Sequence, residues 1–173
     1  MRNRGLTFLE ILISLIIFTV AMLGIFQIFN VALDAQHRAR QEIIAINLAR
    51  GLTAEIMAKN FVDPDEPTNN ALGLNPGESF SNRQTLDDVD DYNGYDESAA
   101  GYPTTVGNQA MNGSVVGIPD YSGFSRSVNV VYCDSNINCP AAGPSDYKRA
   151  RVTVNNPYAK NIIIDEVTAR PVP

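Results

Sequence analysis

At 173 residues, 45% hydrophobic and 18% charged, the chain is long enough for one globular domain of roughly 100 residues beside a membrane-length segment. Its formal net charge of −6, with basic side chains scattered rather than clustered, excludes a general electrostatic attraction to nucleic acid. Two cysteines and one histidine are too few for a zinc centre, and no Gly-rich phosphate loop, nucleophile elbow or metalloprotease motif is present; the chain reads as non-enzymatic.

The N-terminus places Arg2, Arg4 and Gly5 ahead of an apolar run interrupted by one carboxylate, Glu10. The run Ile11 to Phe29 is about as long as a bilayer core requires, and its polar members, Ser14, Thr19 and Gln27, are mild. A secretory signal peptide is the rival reading. Its apolar region is shorter, about 7–15 residues, and ends in a small-x-small cleavage site that is lacking here. A retained single-pass anchor is therefore expected. With Arg2 and Arg4 on the short side and Asp34 opening the long side, the N-terminus is expected in the cytoplasm and the C-terminal domain in the periplasm.

Gly5-Leu6-Thr7-Phe8-Leu9-Glu10, behind a short basic leader and ahead of the apolar helix, resembles the processing motif of type IV prepilins and type II secretion pseudopilins. The resemblance implies that a prepilin peptidase removes residues 1–5, cutting between Gly5 and Leu6, and methylates the new amine. Glu10 then becomes the fifth residue of the mature chain. A carboxylate at the edge of a membrane span needs a counter-charge, and the resemblance supplies one in the N-terminal amine of a neighbouring subunit. Implied partners are the peptidase, other pilin or pseudopilin subunits, the inner-membrane assembly platform and, before assembly, the lipid bilayer. Leu6 stands where Phe is the commonest first mature residue, and the helix lacks the proline that many major pilins carry. Both departures favour a minor subunit.

Beyond the membrane half (6–33), Ala45, Leu48, Ala49, Leu52 and Ile56 recur at spacings of three and four, the signature of one helix face. An amphipathic half is thus expected over 34–60, giving one helix from near Leu9 to about Asn60. Its length of ~52 residues corresponds to about 80 Å. Gly24 is a place for a bend.

Residues 61–124 begin with a crowd of turn formers, including Pro64, Pro67, Asn69, Asn70 and Gly73, and read as a variable loop region. Within it, residues 87–97 carry six carboxylates in eleven positions. Such a run is either a solvated acidic surface loop or an irregular site for a hard cation such as Ca²⁺, with Asp88, Asp90, Asp91, Asn93 and Asp96 as candidate ligands. It is not an EF-hand, because Val89 and Ala100 occupy the first and last ligand positions. No other cofactor is implied. The scattered arginines and asparagines read as surface.

From Ser125 the period becomes two. Ser127–Tyr132, Arg149–Val154 and Asn161–Thr168 read as strands, the last two joined as an antiparallel hairpin through Asn155-Asn156-Pro157-Tyr158. Three strands need a covered face, and the amphipathic half of the helix is the available cover. The expected fold is α+β: a pilin-like ladle, its long N-terminal helix packed on a small antiparallel sheet over 125–173. Cys133 and Cys139 lie between the first two strands and, in an exported domain, read as a disulfide.

These readings converge on a minor pilin-like subunit of a type IV pilus, inserted in the inner membrane and moved into a cell-surface filament. A minor pseudopilin of type II secretion is the alternative within the same class. A membrane-anchored calcium- or ligand-binding module is the alternative outside it.

Overall fold

The computed structural model describes residues 8–65, 71–80, 82, 84–97 and 123–171. Helix α1 runs over Phe8–Met57, and three strands follow: β1 (Ser125–Cys133), β2 (Tyr147–Asn155) and β3 (Ile162–Ala169). The protein is thus α+β, with the long N-terminal helix packed through its second half on a three-stranded antiparallel sheet of order β1-β2-β3. The chain divides into two compact units, Met1–Arg40 and Gln41–Pro173.

In the second unit, α1 buries Ile44, Ala45, Ala49, Leu52, Thr53 and Ile56 on one face, with Leu48 at its margin. Ala45 and Ala49 have no exposed surface, so this face presents small residues where packing is tightest. Leu52 and Ile56 are also fully enclosed, and each contributes about 1.5–3 kcal/mol of apolar burial. The helix stops at Met57, three residues short of the expected Asn60, because Asn60 is drawn into backbone pairing with the acidic segment. Its N–H donates to the Asp87 carbonyl (3.2 Å), and its own carbonyl accepts from Val89 N–H (3.0 Å).

Strands β1 and β2 alternate as a sheet with one covered face requires. β1 buries Arg126, Val128, Val130 and Tyr132, and β2 buries Lys148, Ala150, Val152 and Val154. Register pairs Val128 with Val152 and Val152 with Ile164, so the inward residues form continuous rows. The β2–β3 connection is closed by Asn161 Oδ1, which accepts from Asn156 N–H at 3.2 Å. Cys133 and Cys139 form a disulfide at the end of β1. Inside that loop Asp134 Oδ1 accepts the N–H groups of Asn136 (2.9 Å) and Asn138 (2.8 Å).

The outer edge of β1 is covered by the acidic segment. Gly94 N–H donates to Val128 O (3.1 Å), Val128 N–H to Tyr95 O (2.8 Å) and Glu97 N–H to Arg126 O (2.9 Å). The Asn93 side chain extends this ladder by one position, its Oδ1 accepting Val130 N–H at 3.1 Å. An otherwise open sheet edge is thereby paired within the chain.

Candidate functional site

Glu10 sits in the first turn of α1 with its side chain exposed, followed by exposed apolar residues from Ile11 to Leu33. Ser14 and Thr19 return their hydroxyls to the carbonyls of Glu10 and Leu15, both at 2.8 Å, so neither adds an unsatisfied polar group to that surface. By length and composition this helix is long and apolar enough to cross a membrane. Gly5 and Leu6 lie outside the described residues.

The acidic segment is not a solvated loop. Asp88, Asp90, Asp91 and Glu97 are all buried, as are the apolar residues Leu86, Val89, Tyr92 and Tyr95 of the same stretch. The four apolar residues recur every third position, and all of them enter the core beneath α1 and the sheet. A one-turn 3₁₀ helix at Asp90–Tyr92 lies within this run, and the three-residue repeat matches its three residues per turn. That repeat is the sequence signal that the density of carboxylates obscured. Tyr92 further ties the segment to α1, its hydroxyl donating to Glu55 Oε1 at 2.8 Å.

Each end of the segment neutralises a cation on the inner face of the sheet. Arg126, also buried, is held by Glu97 through Nε (2.9 and 3.0 Å) and Nη2 (2.5 Å). Lys148 is paired with Asp90, and its Nζ also donates to the Phe61 carbonyl at 2.5 Å. Arg126 and Lys148 stand six register positions apart along β1, about 20 Å. The segment is therefore a strap clamped at both ends of the sheet. Arg126 departs from the reading of arginines as surface because a buried carboxylate meets it.

The carboxylates not used by the clamps converge elsewhere. Oxygens of Asp63, Asp87 and Asp88 lie within 4.8 Å of one another, and so do oxygens of Glu78, Asp87 and Asp91. Asp87 belongs to both triads. A pocket of about 350 Å³ opens onto Asp63, Glu78 and Asp87. Asp88 Oδ1 accepts the N–H groups of Asp90 (2.7 Å) and Asp91 (3.1 Å), and Asp91 Oδ2 those of Asp87 (2.8 Å) and Asp88 (3.0 Å). The remaining oxygens, Asp88 Oδ2 and Asp91 Oδ1, are buried without a hydrogen-bond partner, as is Asp87 Oδ1. Burial, reinforced by Asp90 and Asp91, pushes the Asp88 carboxyl up to about 8. Burial and the neighbouring Asp91 push Glu78 up to about 7, and the same two causes raise Asp87.

Of the ligands expected from sequence, only Asp88 and Asp91 belong to these triads. Asp90 is committed to Lys148, Asn93 to Val130, and Asp96 bridges to Ser127 on β1. Asp63 and Glu78, which share these triads with Asp87, come from outside the acidic run. Only folding brings them beside it.

Comparison with curated proteins gave no match, and neither did comparison with solved structures. The apolar helix and the N-terminal motif together fit a membrane-anchored, single-pass protein. Residues 1–26 match the family model of the prokaryotic N-terminal methylation motif, the signal of type IV pilins and pseudopilins, so the chain carries the mark of a prepilin peptidase substrate that assembles with other pilin subunits.

Proposed function

We propose that this chain is a minor pilin-like subunit of a type IV pilus, a structural component and not an enzyme. Prepilin peptidase cuts it between Gly5 and Leu6, and it then enters or primes the filament. The observation that carries this reading is the methylation motif joined to a helix whose apolar side chains, Ile11 to Leu33, stand exposed. Such a surface needs lipid before assembly and neighbouring helices after it. The mechanism is exchange of one apolar environment for another, with Glu10 paired to the N-terminal amine of the next subunit. In that environment an unpaired carboxylate is disfavoured, so the pairing selects the register. The N-terminus faces the cytoplasm, and the C-terminal domain is periplasmic until the filament carries it to the cell surface.

Two features favour a minor subunit: Leu6 at the first mature position and the lack of proline in the apolar half of α1. A type II secretion pseudopilin carries the same motif and remains the second reading.

The test is the intact mass of the membrane-extracted chain from cells with and without the peptidase. The expected result is loss of Met1 to Gly5 only when the peptidase is present, with one added methyl group on Leu6. A full-length mass in both would overturn the reading. Incorporation of the processed chain into sheared pili, rather than into a secretion pseudopilus, would separate the two filament assignments.

A further inference from the structure

We propose that the carboxylates of Asp63, Glu78, Asp87, Asp88 and Asp91 bind a divalent cation of the calcium class. Two oxygens that share a Ca²⁺ at 2.3–2.6 Å can be no more than roughly 5 Å apart. Each triad meets that limit, its three oxygens lying within 4.8 Å of one another, and Asp87 is common to both.

Proximity alone would be unremarkable for acidic residues. The independent observation is the fate of the enclosed oxygens. Asp88 and Asp91 have no exposed surface, and each spends one oxygen on backbone N–H groups while the other is left buried and unpartnered. A buried polar atom without a partner costs about 1–3 kcal/mol, and more when it is charged. The carboxylate oxygens within each triad also face one another at less than 4.8 Å. A divalent ion answers both problems: it ligates the orphaned oxygens and offsets the repulsion. The pocket bordered by Asp63, Glu78 and Asp87 supplies the way in.

The chemistry favours calcium over magnesium. The donors are carboxylates drawn from three separate stretches outside α1 and the sheet, at Asp63, Glu78 and Asp87–Asp91. Ca²⁺ accepts six to eight oxygens in flexible geometry, whereas Mg²⁺ demands a near-ideal octahedron and retains its waters. Binding would fasten the end of α1 and the following loop to the strap. The competing occupant is a proton shared between neighbouring carboxyls, which would leave the site indifferent to calcium.

The experiment is calorimetric titration of the detergent-solubilised full chain with CaCl2 after chelation. It is paired with thermal unfolding in chelator, Ca²⁺ and Mg²⁺, for wild type, Asp87→Asn and Glu78→Gln. Saturable calcium binding is expected, with a rise in the wild-type midpoint of about 5 °C or more that Mg²⁺ at equal concentration does not match. Asp87→Asn, which touches both triads, should weaken calcium affinity by about tenfold or more. In chelator it should be at least as stable as wild type, because a repelling charge has gone. That reversal of sign is not produced by a residue of purely structural importance. Absence of saturable binding to the wild type overturns the proposal whether or not the variants fold, and so does wild-type affinity in both variants. N-terminal processing has no bearing on either result.

Discussion

Glu97 and Arg126 form the most completely enclosed ion pair of the strap, with side chains 0% and 2% exposed. Glu97 also accepts the Tyr95 hydroxyl at 2.9 Å and the Arg126 N–H at 3.2 Å, so its two oxygens serve several donors. A buried pair of this kind is weak evidence of net stabilisation, but removing one member strands the other charge. Glu97→Gln should therefore lower the unfolding free energy by about 3–5 kcal/mol in urea titrations. Replacing both partners, Glu97→Leu with Arg126→Met, should recover most of that loss. A double variant as unstable as the single one would mean that packing, not charge, decides this position. The residue types alone disclosed none of this. Arg126 and Glu97 are 29 positions apart, and each read separately looks like a surface charge.

The elements were legible in proportion to how local their causes are. Ala45, Ala49, Leu52 and Ile56 lie at helical spacing and pack as that spacing requires. Each of the three strands begins and ends within two residues of its expected bounds, and β1 and β2 keep the period-two alternation. The strap was not legible as an element because the backbone bonds that place it are made to other segments, to Asn60 and to the edge of β1, with only short turns closed within itself. The disulfide acts at this same scale. It closes a short loop at the end of β1, and by loop-closure entropy it should contribute about 2 kcal/mol. Denaturant unfolding with and without reductant measures this, with Cys133→Ala/Cys139→Ala as the control that should respond to neither. A reduced protein of unchanged stability would show that the Asp134 hydrogen bonds already hold the loop.

At the scale of the whole molecule, the chain couples a helix that exposes its apolar side chains before Asp34 to a unit, from Gln41 on, that buries its own core. The proposed filament role places a single decisive charge in the first of these. Glu10→Ala should leave membrane insertion intact, because it removes the one carboxylate near the apolar run. It should nonetheless reduce recovery in sheared filaments severalfold relative to the membrane pool, as measured by quantitative immunoblotting. Equal incorporation would remove the charge-pairing step while leaving processing at Gly5 untouched. The calcium proposal belongs to the second unit and stands or falls without it.

The sequence by itself determined the apolar helix, the motif at its start, the face the helix turns to its core, and the three strands. All of these rest on periodicity or on residues adjacent in the chain. Only the tertiary structure decided what the acidic run is. An aspartate's character depends on what faces it, and the answers come from afar: Lys148 is 58 positions from Asp90, and Asn60 lies just past the end of α1. The same carboxylates that would be solvated in an isolated loop are enclosed here because Leu86, Val89, Tyr92 and Tyr95 pull the segment inward. Their charges are then met at the ends by Arg126 and Lys148, and in the middle are left facing one another.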